Sequence, residues 1–113
     1  MTRIIDVKDL NYDEGHCGKI KKLFEDRKDV SFVYLEVDKA REHYHKITTE
    51  FYFVINGSGK VKLDDKVHEI CQGNLVEISP NTRHKAFDEN GLEILVVMVP
   101  ALEPTDNYFV SDP

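Results

Sequence analysis

Apolar, β-branched and aromatic residues come in short runs along this chain, and each run is closed by a cluster of Gly, Asn, Asp, Ser or Pro. The pattern predicts strands at residues 31–37, 51–55, 60–63, 67–70, 75–78 and 92–99, with a further short strand at 84–87. Helical periodicity is weak. Residues 19–29 read either as a helix through Ile20, Leu23 and Phe24 or as a strand followed by a polar turn. The expected turns are Asn56-Gly57-Ser58-Gly59, Asp64-Asp65, Gln72-Gly73-Asn74, Ser79-Pro80-Asn81 and Asn90-Gly91. Asn-Gly suits a hairpin because both residues tolerate positive φ. Many short antiparallel strands in one small chain make an all-β sandwich or small barrel.

Some of these strands are apolar on both faces. Phe51, Phe53 and Ile55 alternate with Tyr52 and Val54, and residues 92–99 are interrupted only by Glu93. Such strands need cover on both sides, and a homodimer is the expected source of part of it. The chain has 113 residues, the size of a single domain, with the barrel core expected at about 30–100 and flanking N-terminal strands and C-terminal tail. A formal charge of −6 argues against nucleic acid as a partner. The apolar run at 94–99 is too short for a membrane helix, and Asp6 and Asp9 break any signal-like stretch. A cytoplasmic protein with no membrane partner, and with Cys17 and Cys71 reduced, is the expectation.

The chemistry concentrates in His43-Tyr44-His45-Lys46-Ile47-Thr48-Thr49-Glu50. On an extended segment His43 and His45 point to one side, ~6.6–6.8 Å apart along the strand, so that two imidazoles converge on one ion. Glu50 shares a face with Tyr52 and Val54, where a carboxylate is costly unless it is paired or bound to a metal. His84 follows the turn at Pro80. Three imidazoles and a carboxylate suit one divalent transition metal, whether Fe, Mn, Ni, Co, Cu or Zn, rather than Ca or Mg.

At these residues the sequence resembles the cupin superfamily. The first cupin motif, HxH, four residues, Glu, six residues, Gly, is met by His43, His45, Glu50 and Gly57. The second, a Gly followed by a Pro-containing turn and a His, is met by Gly73, Pro80 and His84. There are departures. Val37 stands where a Gly often opens the first motif, the Pro80 turn is one residue short and lacks its Gly, and Asp88 stands where Asn is common. The resemblance implies a cupin-type double-stranded β-helix, or jelly-roll barrel, of the small single-domain kind. It also implies a metal held by His43, His45, Glu50 and His84, with one or two coordination positions open to a small-molecule ligand inside the barrel.

Three functions follow. The first is dioxygenase-type chemistry, the second a metal-dependent sugar or sugar-phosphate isomerase or epimerase, the third a non-enzymatic metal- or ligand-binding module. Phosphosugar chemistry calls for inward Lys or Arg near the metal, which the ligand-bearing strands do not offer, and a sensor calls for an output domain. Tyr52 shares the face of Glu50 and either donates a hydrogen bond to a substrate or to Glu50 or simply fills the barrel. His68 and His16 read as surface and loop histidines, and Arg83 as a solvated charge. The tail from Ala101, with its Tyr108-Phe109-Val110 cluster, is expected to lie extended along the barrel or along a partner.

Overall fold

The computed structural model describes residues 2–110. Within them nine strands form one strongly curled sheet, and the helical content is a single 3-10 turn at Val7–Asp9. The strands are β1 (Asp13–Gly15), β2 (Gly18–Leu23), β3 (Ser31–Val37), β4 (His43–Tyr44), β5 (Thr49–Leu63), β6 (Lys66–Cys71), β7 (Leu75–Ile78), β8 (His84–Val99) and β9 (Tyr108–Phe109). Residues 19–29 resolve to the second of their two readings, strand β2 followed by a polar turn. Among the described residues no helix is long and apolar enough to cross a membrane.

β8 is the spine of the sheet. One edge pairs antiparallel with β5 from Val99 back to His84. The other pairs with β3 from Met98 to Glu93 and with β4 at His84. β5 in turn carries β7 and β6 on its far edge. Alternation along β5 and β8 sends Tyr52, Val54, Val61, Ala86, Leu92, Ile94, Val96 and Met98 inward, where they form the core with Leu35, Val37, Ile70 and Ile78.

Two expected turns are not turns. Asn56-Gly57-Ser58-Gly59 lies inside the fifteen-residue β5, and Asn90-Gly91 lies inside the sixteen-residue β8. The β5–β8 register slips between Val54 and Asn56, between Asn56 and Ser58, and between Ser58 and Gly59, so the glycines mark bulges that bend paired strands. A Cβ on Gly59 would lie 2.1 Å from the Phe87 carbonyl oxygen. Gly57 has φ 83°, and a Cβ there would meet the Asn90 and Gly91 oxygens at 2.4 Å. Asp88 Oδ1 accepts from the Leu92 amide at 2.6 Å across the second bulge. The turns expected at Asp64-Asp65, Gln72-Gly73-Asn74 and Pro80-Asn81 are present.

The tail is part of the sheet, with β9 pairing Phe109 to His43 and Tyr108 to Tyr44. The remainder of the tail expectation, residues 111–113, lies outside the described residues.

Candidate metal centre

Cross-strand pairing assembles the cluster. His43 of β4 lies directly opposite His84, the first residue of β8, and His84 also faces Leu63 of β5. Glu50, the second residue of β5, stands between Ile78 of β7 and Met98 of β8. His45 leaves β4 at the start of the loop to β5, and its carbonyl accepts from the Asn81 amide at 2.6 Å. That bond ties the two motif loops together. Asn81 holds φ 69°, a left-handed conformation that Asn tolerates better than most residues, so it fills the turn position where the family carries Gly.

All four side chains are buried, with His84 at 0% and Glu50 at 3% relative exposure. One ligand atom from each lies within 4.8 Å of every other. The orientation of the rings is fixed from behind. His43 Nδ1 donates to the Arg41 carbonyl (2.8 Å), His45 Nδ1 to the Asp106 carbonyl (2.7 Å) and His84 Nδ1 to the Thr82 carbonyl (2.8 Å). A carbonyl only accepts, so each Nδ1 carries a proton and each Nε2 is left for the centre. His45 Nε2 is in close contact with Glu50 Oε1, and His84 Nε2 lies 3.2 Å from the same oxygen. Backbone carbonyls orienting imidazoles in this way are the usual outer support of a metal site. The donor set, three imidazole nitrogens and a carboxylate turned on one buried point, is compatible with a metal ion.

The electrostatics follow from burial and from Glu50. Burial, then repulsion from His84, lowers the His43 imidazole to about 3. Burial also opposes charge on His45, but the hydrogen bond and negative charge of Glu50 outweigh it and raise its pKa. Burial pushes Glu50 up, while the imidazoles of His45 and His84 beside it hold it well below the usual carboxylate range. Tyr52 is 2% exposed, and burial plus the Glu50 charge push its phenol well above its ordinary value.

The tail supplies a support that the sequence did not signal. Besides its carbonyl, Asp106 gives its buried carboxylate to three amides of the His45–Glu50 loop: Lys46 (2.8 Å), Ile47 (3.2 Å) and Thr48 (3.2 Å). Burial raises the Asp106 carboxyl and these three bonds more than reverse it, leaving it below its ordinary value.

A cavity of about 500 Å³ reaches the cluster at His43, His45 and Glu50. Its walls include Ile20, Val33, Leu35, Val96, Met98 and Leu102, with Tyr52 and Asn107 among the polar groups and exposed Lys22, Glu25 and Arg27 at the rim. Asn107 Oδ1 is buried and lacks a hydrogen-bond partner. His16, expected as a loop histidine, does sit in the β1–β2 turn, yet its ring lines this cavity and its Nε2 lies 3.4 Å from His43 Nε2. A lone His in a Gly-His-Cys-Gly turn offers no spacing signal that would have found it. His68 is exposed on β6, and Arg83 is half-exposed and paired with Asp64 and Asp65, away from the cluster.

Comparison with known proteins agrees with this architecture. An uncharacterized protein of Methanocaldococcus jannaschii, MJ1618, is 34% identical over 47 residues, a match covering 42% of this chain and only 38% of that protein. A protein from Planctomyces limnophilus superposes with a TM-score of 0.87 at 24% identity, covering 96% of this chain and 97% of that one. Pac13 of Streptomyces, a nucleoside dehydratase, superposes with a TM-score of 0.85 at 19% identity, covering 97% of this chain and 92% of that one. At these identities the structural matches establish a common fold. The family model of the cupin domain matches residues 32–99, more than half of the sequence. With that match, the curled sheet and the two motif loops joined at one point, this chain belongs to the cupin family.

Proposed function

We propose that the chain is a single-domain metal-binding cupin that holds one divalent transition metal through His43, His45, Glu50 and His84 and acts on a small molecule bound in the cavity. The observation that carries this reading is the fixed orientation of the three rings. Each is pinned by an Nδ1–H···O=C bond, so three Nε2 atoms and a carboxylate face one dry point. Such a concentration of acceptors calls for a cation. A bound metal would supply Lewis-acid or redox chemistry at the inner end of the cavity. The chain's own part is to orient the ligands, exclude water and shape the substrate site.

Among the three functions, dioxygenase-type chemistry fits the cavity best. Its walls are largely aliphatic, and the Lys and Arg among its described lining residues are the exposed Lys22 and Arg27, the latter engaged by Asp29 at 2.8 and 2.6 Å. Among the described lining residues, a sugar phosphate would meet no other Lys or Arg side chain. The unpartnered Asn107 Oδ1 favours a substrate that carries a hydroxyl or N–H donor. Oxygen-electrode screening of metal-loaded protein against small hydroxylated and enolic compounds tests this reading. Substrate-dependent oxygen uptake is expected. Turnover that proceeds equally under anaerobic conditions would instead make the chain an isomerase or lyase.

A homodimer goes with the same reading. The outer face of β5, β7 and β8 exposes Phe53, Leu75, Ile55 and Val99, and Phe53 pairs across the sheet with both Leu75 and Leu95. An apolar sheet face of this kind is the patch a symmetric partner would cover.

A further inference from the structure

His16 has no part in the ligand set, yet the fold holds it rigidly against that set. The β1–β2 turn is closed by the pairing of Gly15 with Gly18. Gly18 has φ 142°, and a Cβ there would lie 2.0 Å from the Glu36 carbonyl oxygen, so the turn is packed hard onto β3. Downstream, the Arg41 amide donates to the His16 carbonyl and the Asp38 amide to the Cys17 carbonyl, each at 3.0 Å. The imidazole stands edge-on to His43 (4.5 Å, 82°) and to Phe109 (5.2 Å, 86°). Its Nε2 meets His43 Nε2 at 3.4 Å on the cavity side of the cluster.

The proton at that contact belongs to His16. His43 has committed its Nδ1–H to the Arg41 carbonyl, so its Nε2 presents a lone pair. A metal ion taking that lone pair leaves the His16 N–H without its acceptor, still aimed at the space beside His43. Two donors held ~2.1 Å from one ion lie ~3.0–3.4 Å apart. His16 therefore sits at about the spacing of a neighbouring ligand, but it joins the cluster only through His43 and not through His45, Glu50 and His84 together. A separate site built from His16, Cys17 and His43 fails chemically. Cys17 Sγ faces His43 Nδ1 at 4.0 Å, and that nitrogen is already committed to the Arg41 carbonyl, so His43 has no lone pair to offer on the Cys17 side.

We infer that His16 donates a hydrogen bond to the small anionic ligand, such as a carboxylate, enolate or hydroxide, that occupies the open face of the metal centre beside His43. This rests on the metal reading above. It assigns His16 a positioning and selectivity role that the four-ligand motif does not contain.

The test uses azide as the anionic probe on the cobalt(II)-loaded full chain, followed by the visible absorption of the metal. His16→Leu should weaken azide binding about tenfold while leaving cobalt affinity within about twofold of the parent. His16→Gln, which keeps an N–H donor, should recover part of the loss. Unchanged azide affinity in His16→Leu would overturn the inference. So would tighter azide binding together with weaker cobalt binding, because that pair marks His16 as a direct ligand whose removal opens a position. If the parent chain binds no cobalt, the metal reading itself fails, an outcome distinct from either of these.

Discussion

Replacing Asp106 by Ala removes one side chain far along the sequence and should disturb the centre at its most loop-like ligand. The carboxylate accepts from the amides of Lys46, Ile47 and Thr48 at 2.8, 3.2 and 3.2 Å, and with the Asp106 carbonyl on His45 Nδ1 it fixes the chain between His45 and Glu50. Thr48 is 2% exposed, so its amide loses its acceptor in a dry place, at about 1–3 kcal/mol. Lys46 and Ile47 are exposed residues whose amides water can reach, at about 0.5 kcal/mol each. The sum is about 2–4 kcal/mol. With a urea slope of about 1.5 kcal/mol/M for a chain of this size, the unfolding midpoint of Asp106→Ala should fall by about 1.3–2.7 M. Asp106→Asn, which keeps one accepting oxygen, should lose about half as much. Because loosened support also disorients His45, metal affinity should drop by about 10-fold or more. A midpoint shift below about 0.3 M with unchanged metal affinity would refute the argument that the tail holds the site.

Other expectations follow from the same geometry. Gly59→Ala drives a Cβ to 2.1 Å from the Phe87 oxygen and should cost about 3 kcal/mol or prevent folding, whereas at Gly73 (φ 93°) a Cβ meets nothing within 4 Å and Gly73→Ala should cost only about 1–2 kcal/mol of backbone strain, so the reverse ranking in urea unfolding would contradict the bulge account. In the metal-free protein the folded His43 stays neutral down to about 3, while in the unfolded chain it takes a proton below about 6.5. Its contribution to stability is therefore complete above about pH 6.5 and is lost as pH falls, at up to about 1.4 kcal/mol per pH unit. Urea midpoints between pH 6.5 and 4.5 should decline accordingly, and a flat profile would be inconsistent with a buried, neutral His43. If the outer sheet face forms the dimer, light scattering should give twice the chain mass, and Phe53→Lys should return it to a monomer while leaving metal content unchanged.

The legible and illegible parts of this molecule divide along the range of the interactions. Strand period is a local quantity, so alternation alone puts His43 and His45 on one side and Glu50, Tyr52 and Val54 on one face, whereas His84, 34 residues beyond Glu50, joins them through the resemblance of the two motifs to the cupin pattern. The glycines of Asn56-Gly57-Ser58-Gly59 and Asn90-Gly91 were read as turns because a turn and a bulge ask for the same backbone freedom. The difference lies in whether another strand pairs across them, and the pairing partner is some thirty residues away in sequence. Asp106 and His16 carried no signal for the same reason. Each acts on the centre through a contact whose other end, at Lys46–Thr48 or at His43, is fixed only once β9 has joined β4 and the β1–β2 turn has docked on the segment after β3.

Elemental analysis of the purified full chain, with Glu50→Ala and His45→Ala alongside and circular dichroism to show that both variants are folded, addresses the central claim most directly. The orientation of three Nε2 atoms and one carboxylate on a single buried point predicts about one divalent transition metal per chain in the parent protein and a loss of most of it in both variants. Stoichiometric metal retained in both folded variants would place the metal elsewhere. A parent chain that takes up no transition metal even from excess would contradict the account.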